Sequence, residues 1–289
     1  MGTTEDSNNT KGETMRNPIV SVLLASLAIT SQAAILPDGT DAVVKKRNVF
    51  GVSVLAEPTE FNTPLGKMKL GGVSFHNSGK IKRCELAQPQ AIDTPAGKVE
   101  VDVVGFYESG KITYCDLTER TLIDTPVGKV KMDEIGFYES GKMERCHRAS
   151  GSELLVIETP AGKIKVSLFI EFHESGKIRQ CGLAAPQIVD TPAGKMKVWS
   201  VGFHESGKLK DCVVAEPQII DTNVGKVSVK SFEFYESGKI RTVKPSEKTT
   251  IQGQEFSKAH SIGWDENGKF LGRIKSGGEK AASVPNTDK

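Results

Sequence analysis

The sequence predicts an all-β protein: an elongated antiparallel β-hairpin repeat sheet or solenoid of about six 31-residue units, closed by a degenerate seventh. Three observations lead to this expectation. Phe-Tyr/His-Glu-Ser-Gly-Lys recurs with its glycine at Gly110, Gly141, Gly176, Gly207 and Gly238, preceded by the variant Phe75-His76-Asn77-Ser78-Gly79-Lys80. The glycine spacings are 31, 31, 35, 31 and 31. A second signature, Thr-Pro-x-Gly-Lys, starts at Thr63, Thr94, Thr125, Thr159 and Thr191, with Thr222-Asn223-Val224-Gly225-Lys226 as its sixth form. Finally, glycine is abundant (29 residues) and aromatics are sparse (6%), which suits a turn-rich β protein better than a large globular core.

The N-terminal segment 1–33 reads as a signal peptide with an upstream extension. Its most apolar stretch, Ile19 to Thr30, is too short to span a bilayer. It follows the short positive segment Met15-Arg16-Asn17-Pro18 and precedes the small residues Ser31-Gln32-Ala33, the pattern of a cleavable export signal. Met15 is the expected start, and the mature chain is expected to begin near Ala34. With no cysteine after the apolar run, a lipid anchor is not expected, nor any transmembrane segment once the signal is removed. Residues 34–50 read as a linker.

Residues 51–243 hold the hairpin array. Proline presets the first central dihedral of a turn, and glycine accepts the left-handed conformation that completes the reversal, so each unit contains two turns. Opposite charges flank the proline turn in Asp93/Lys98, Asp124/Lys129, Glu158/Lys163, Asp190/Lys195 and Asp221/Lys226, a cross-strand pattern that supports register weakly. Between the turns the apolar residues change parity. Val99 and Val101 share one face of a flat strand, and Val104 and Phe106 the other; Ile112 and Cys115 differ likewise on the return strand. Since side chains alternate strictly, both strands must bend or bulge if all of these line one core. The long unit ending at Gly176 has an extra residue in Ser167-Leu168-Phe169, where a bulge is expected. A lone unit cannot bury its own apolar face, so stacking of neighbours must complete the core.

Residues 244–274 form a degraded unit, ending in Trp264-Asp265-Glu266-Asn267-Gly268-Lys269-Phe270, that reads as a C-terminal cap. Residues 275–289 read as a disordered tail.

The Phe106-Tyr107-Glu108-Ser109-Gly110-Lys111-Ile112 pattern and its copies resemble the variant MORN repeats, aromatic-x-x-Asn/Ser-Gly-Lys-apolar, of bacterial repeat proteins that include antitoxin-type members. The segment Thr249-Thr250-Ile251-Gln252-Gly253 followed by Trp264 to Lys269 also resembles longer-period bacterial repeats. The likeness runs from Phe61 to Phe270 and implies β-hairpin repeats. The longer period and the Thr-Pro-x-Gly turn depart from the usual pattern, and no function is carried over.

Five cysteines, Cys84, Cys115, Cys146, Cys181 and Cys212, share one repeat position, which Val243 takes in the sixth copy. Two strands per unit would hold equivalent cysteines about 9–10 Å apart, beyond the ~7 Å that a disulfide permits. They are expected as small core residues, neither bridged nor metal-bound. His76, Tyr107, Tyr138, His173, His204 and Tyr235 precede the Ser-Gly turns, and Lys80, Lys111, Lys142, Lys177, Lys208 and Lys239 follow them. These twelve residues are the candidate binding ladder.

No nucleophile elbow, paired-carboxylate arrangement, phosphate-binding glycine loop or Cys-x-x-Cys pair occurs, and the recurring Glu of each turn is spread along the chain rather than converging. No enzyme activity, cofactor or metal is therefore expected. A net charge of +2 from 38 basic and 36 acidic residues gives no footprint for nucleic acid. The expected function is a non-catalytic periplasmic or secreted binding or scaffold module for a protein or envelope polymer. The alternative, implied only by the resemblance, is an antitoxin-like or immunity partner that neutralises a toxin.

Overall fold

The computed structural model describes residues 32–48, 51–147 and 155–274. Of the segment 1–33 read as a signal peptide, residues 1–31 lie outside the described residues and the last two fall in the first strand, Gln32–Ile35; the tail 275–289 also lies outside. The chain forms β1 (Gln32–Ile35), β2 (Asp41–Arg47), β3 (Ser53–Thr63), β4 (Gly66–Phe75), β5 (Ile81–Thr94), β6 (Gly97–Phe106), β7 (Ile112–Thr125), β8 (Gly128–Phe137), β9 (Met143–His147), β10 (Leu155–Thr159), β11 (Gly162–Phe172), β12 (Ile178–Thr191), β13 (Gly194–Phe203), β14 (Leu209–Thr222), β15 (Gly225–Phe234), β16 (Ile240–Pro245), β17 (Thr249–Ile251), β18 (Gln254–Phe256), β19 (Ser261–Trp264) and β20 (Phe270–Ile274). Eighteen of these strands make one antiparallel sheet in hairpin order. It is not closed into a barrel. β17 and β18 pair separately.

The parity switch resolves as two register breaks per unit. Along the Ser-Gly hairpin a single residue bulges: Val101 faces Leu117 and Val103 faces Asp116. Along the Thr-Pro hairpin the break is wider. Glu85 faces Val103 and Gln90 faces Val101, so residues 86–89 oppose Asp102 alone. The same offset recurs in the hairpins β3–β4, β7–β8, β12–β13 and β14–β15. Beyond each break the chain continues as a two-stranded ribbon ending in the Thr-Pro turn, such as Gln90–Thr94 with Gly97–Val101. These are the expected bent hairpins. Val99, Val101, Val104 and Phe106 are all buried despite their opposite parities.

One row of paired residues crosses almost the whole sheet: Val73, Cys84, Val104, Cys115, Ile135, Cys146, Ile170, Cys181, Val201, Cys212, Phe232, Val243, Ile262. Every member is essentially inaccessible to solvent. Cysteine and a larger residue alternate strand by strand, which keeps the row's volume even and holds any two cysteines two strands apart. All five are buried thiols, as their spacing required. Burial pushes Cys84, Cys115, Cys181 and Cys212 up to about 12, which removes thiolate chemistry at neutral pH.

The long unit absorbs its insertion in two places. Between Val166 and Ile170 the β11–β12 register slips by one residue more than in its siblings, which places the expected bulge. The other added residues fall between β9 and β10, where one 14-residue strand elsewhere becomes two shorter ones, both paired to β11.

The linker expectation for 34–50 is corrected. β1 and β2 pair residue for residue from Gln32 with Val44 to Ile35 with Asp41, and β2 joins β3. The turn between β1 and β2 closes through Leu36 N–H to Thr40 O and Gly39 N–H to Leu36 O, and the next through Asn48 N–H to Val52 O and Gly51 N–H to Asn48 O. These match the Ser-Gly hairpin turns, so the segment is a shortened first unit. Its sequence drifts while Pro37, Gly39 and Gly51 keep the turn chemistry. The expected mature start near Ala34 falls inside β1.

The segment expected as a cap carries strands that continue the sheet. Val243 pairs with Ile262, and Trp264 with Phe270, as Cys115 pairs with Ile135 and Phe137 with Met143. Phe256 of the β17–β18 hairpin is fully buried against Phe270.

Candidate functional site

The two turn families meet on one edge of the molecule. In each Ser-Gly turn the ring residue opens a tight reversal: Tyr107 N–H donates to Lys111 O (2.8 Å) and Gly110 N–H to Tyr107 O (2.9 Å). Gly110 sits at φ +87°, a conformation that only glycine adopts without strain. In each Thr-Pro turn the threonine hydroxyl donates to the glycine carbonyl three residues on, as in Thr94 to Gly97 (2.7 Å). The prolines then touch the Ser-Gly turn one unit ahead. A β-carbon on Gly110 would lie 3.5 Å from Pro64, and Gly141, Gly176, Gly207 and Gly238 meet Pro95, Pro126, Pro160 and Pro192 in the same way. The ribbons therefore lie back across the sheet, with the core between them.

The candidate ladder has a structural job that its sequence did not disclose. Each ring sends its polar atom to the carbonyl of the next unit's pre-turn aromatic residue. Tyr107 donates to Phe137 O (2.8 Å), Tyr138 to Phe172 O (2.7 Å) and Tyr235 to Trp264 O (2.9 Å). His76, His173 and His204 reach Phe106, Phe203 and Phe234 carbonyls through Nε2 at 2.9, 2.9 and 3.0 Å. A carbonyl only accepts, so Nε2 carries the proton in all three. Interchange of Tyr and His at this position follows from shared reach and donor capacity. Lysine makes a second bond across the same gap: Lys80 to Glu108 O, Lys111 to Glu139 O, Lys177 to Glu205 O and Lys239 to Glu266 O, at 2.8–3.0 Å. Among the described residues, Lys142 and Lys208 are the two ladder lysines without this bond. Ten of the twelve candidates thus latch one unit to the next.

Between successive latches lie clefts. One of about 590 Å³ is bounded by Pro160 and Pro192 on one side and the turns at Gly207 and Gly238 on the other, with Phe203 at its floor and Lys208 at its rim. A second of about 480 Å³ repeats this with Pro95, Pro126, Gly141, Gly176, Phe137 and Lys142. A third of about 560 Å³ uses Pro192 and Asn223, with Trp264 from the cap. There Asn223 replaces proline by bonding, donating to Gly268 O (2.6 Å) and accepting from Trp264 Nε1 (2.9 Å). The rims of the first two clefts carry a carboxylate from each turn family, Asp190 and Glu236 in one and Asp124 and Glu174 in the other, and the third carries Asp221.

The outer sheet face carries a second polar cluster. Tyr114 lies between Arg83 and Arg145, whose guanidinium carbons are 5.7 and 5.8 Å from its ring centre, and Arg83 donates to its hydroxyl (2.6 Å). Arg145 pairs with Glu134 (3.1 Å). Tyr114 lies flat over Gly105, where any side chain would collide with the ring. Burial, reinforced by Glu134, pushes Asp116 up to about 6. Arg83, Tyr114, Arg145 and Glu134 thereby form a brace across the strands, while the buried Nε of Arg83 is left without a partner.

One surface escaped the sequence reading. Leu122, Val156, Ile188 and Ile219 occupy a single repeat position on the outer face of four consecutive ribbons and are 59%, 54%, 72% and 73% exposed. The signal was present as adjacent apolar pairs, Leu122-Ile123, Val156-Ile157, Ile188-Val189 and Ile219-Ile220, since only one member of such a pair can face a core.

No helix among the described residues is long and apolar enough to cross a membrane, and no cluster of three or more metal-ligating side chains occurs among them. No family model matches the chain, and no curated protein matches it. The likeness to variant MORN repeats rests on the repeat residues alone.

Proposed function

We propose that the protein is a non-catalytic, periplasmic or secreted binding module whose turn edge holds an extended envelope polymer. The recurrence of one cleft along that edge carries this reading. Each cleft combines an aromatic floor, apolar proline walls and carboxylate, hydroxyl and lysine rims, a lining suited to a hydroxyl- and amide-rich chain. With two strands per unit, equivalent clefts repeat about every 9.6 Å. A linear partner can therefore add weak contacts unit by unit, and avidity replaces a single deep pocket. Lys142 and Lys208, which make no latch, supply the ladder's remaining cations to two of these rims. The export expectation supports an envelope setting.

The test is co-sedimentation of the full chain with purified insoluble envelope polymer. Binding is expected, and Ser175→Arg, Ser206→Arg and Ser237→Arg together, all exposed rim residues, should weaken it at least tenfold without lowering the melting temperature. Undiminished binding by the triple variant would move the site elsewhere. Failure of the parent chain to bind, with a soluble envelope protein captured instead, would replace the polymer with a protein partner.

A further inference from the structure

We infer that the polymer held along the turn edge is a neutral, extended 1,4-linked polysaccharide, seated in register at one disaccharide per repeat unit. This rests on the reading of the turn edge as a polymer-binding face and commits it to one chemistry. Spacing is the first reason. The cleft between Pro160 and Pro192 and the cleft between Pro192 and Asn223 are neighbours that share Pro192 and Gly238. Those two residues make the wall between them, since a β-carbon on Gly238 would lie 3.7 Å from the Pro192 ring. An occupant that fills successive clefts must therefore alternate, one group seated and the next lying over a Pro-Gly wall. The pattern repeats about every 9.6 Å, twice the strand-to-strand step. An extended peptide advances about 3.3 Å per residue and alternates its faces, so residues three apart meet successive clefts from opposite sides. A pyranose linked through its 1 and 4 positions advances the chain by close to one strand-to-strand step, about 4.8 Å, and in the extended form each ring is turned over relative to the last. Equivalent faces then return every second sugar, one per unit.

Period alone also admits a polyproline II peptide, which returns every third residue at about 9.3 Å. The linings decide against it. Such peptides dock between exposed aromatic rings, but Phe137 and Phe203 are only 1% exposed on the cleft floors, and the ladder's tyrosines and histidines are held by the next unit's carbonyls. The rims bring carboxylates that only accept: Asp190 and Glu236 in one cleft, Asp124 and Glu174 in another. Covering them costs free energy unless the occupant donates to them. A proline-rich chain is poor in N–H groups, whereas every sugar hydroxyl both donates and accepts. Charge excludes polyions. Asp190 pairs with Lys195 at 2.8 Å, which leaves Glu236 and Lys208 to the first rim. In the second, Glu174 stands with Lys142, and register sets Lys129 opposite Asp124. Neither sign dominates, so neither a polyanion nor a polycation gains from the row.

The test is displacement of the full chain from insoluble envelope polymer by soluble N-acetylglucosamine oligomers, neutral 1,4-linked chains of two to eight sugars. Potency should rise in two-sugar steps, because one added sugar in two reaches a new cleft; each such step should tighten binding at least threefold, and the sugars between should add little. Ser206→Arg with Ser237→Arg fills the cleft between Pro160 and Pro192 and interrupts the row. It should weaken the eight-sugar chain at least threefold and leave the two-sugar chain unchanged, with an unchanged melting temperature because both serines are exposed. A smooth gain with every sugar, oligomers that displace nothing, or displacement by a proline-rich peptide instead would each overturn the disaccharide register while the polymer edge stands. A parent chain that never binds the polymer would remove the edge reading itself, and the register with it.

Discussion

A tyrosine hydroxyl or histidine N–H half-buried at a sheet edge needs an acceptor, and here the next unit's carbonyl provides it. The bond from Tyr138 to Phe172 O spans the long unit, where the chain between them is 34 residues, yet its length of 2.7 Å matches its siblings. The latch is therefore a property of stacking, independent of the connecting sequence. Tyr138→Phe keeps the ring and removes the donor, so it should cost about 1 kcal/mol, the net worth of one hydrogen bond. Urea denaturation would read this as a lower midpoint at constant slope; no loss would return the ring to the role of a free contact. Asp116 offers a pH test. Its folded value near 6 lies above the ordinary 3.8, so between about pH 4 and 6 the folded state holds more protons than the unfolded one. Stability should fall as pH rises through that window, and the deficit should persist above it. Asp116→Asn should flatten this part of the profile and stabilise the protein at pH 7 by about 1 kcal/mol, allowing for solvent screening. A parent profile already flat from pH 4 to 7 would show that Asp116 is better solvated than its position indicates.

Individual strands explain what the sequence disclosed and what it hid. The turns were legible because Pro, Ser-Gly and Asn-Gly impose local dihedrals, and the bends were legible because Val101 and Val104 cannot share a face of a flat strand. Where the bend falls was not legible. The four-against-one break at residues 86–89 is set by how the ribbon lies back on the sheet, a long-range fit that no local propensity encodes. The first unit was missed because Leu36 to Gly39 lacks the Thr and Lys of its siblings, although its proline still reaches Gly79. The ladder's role was hidden for a related reason. A recurring Tyr or His marks a shared environment, but only the stacking distance shows that the environment is a neighbouring carbonyl. The alternating row of cysteines belongs to this scale. Each thiol sits between larger side chains on adjacent strands, so a thiol reagent should label few sites in the folded protein and five after denaturation without reductant. Cys115→Val should cost under about 1.5 kcal/mol as a near volume-conserving change. Three or fewer reactive thiols in the denatured chain would mean that neighbours are bridged and that the two-strand interval is wrong.

At the scale of the molecule, a repeat sheet has two ends, and each exposes unpaired backbone and half a core unless something covers it. Here the C-terminal end is covered twice. β19 pairs with β16, and β20 with β19, continuing the sheet; the β17–β18 ribbon lays Phe256 against Phe270 over the last apolar layer. Trp264 ties these parts together. It receives the last ring latch from Tyr235 through its carbonyl, donates from its indole to Asn223, and is 4% exposed. Truncation after Val243 should therefore do more than shorten the array. It leaves Phe232 and Phe234 without their covering layer, removes the acceptors of Tyr235 and Lys239, and frees β16 as an edge on which a second chain could pair. Lower solubility and a lower melting temperature are expected. Trp264→Ala in the full chain separates the cap's packing from its length: strand pairing persists while a buried indole is lost, and the cost should be about 3–5 kcal/mol. If the truncated chain melts and dissolves like the parent and Trp264→Ala is silent, the seventh unit is an appendage and the sixth ends the array unaided.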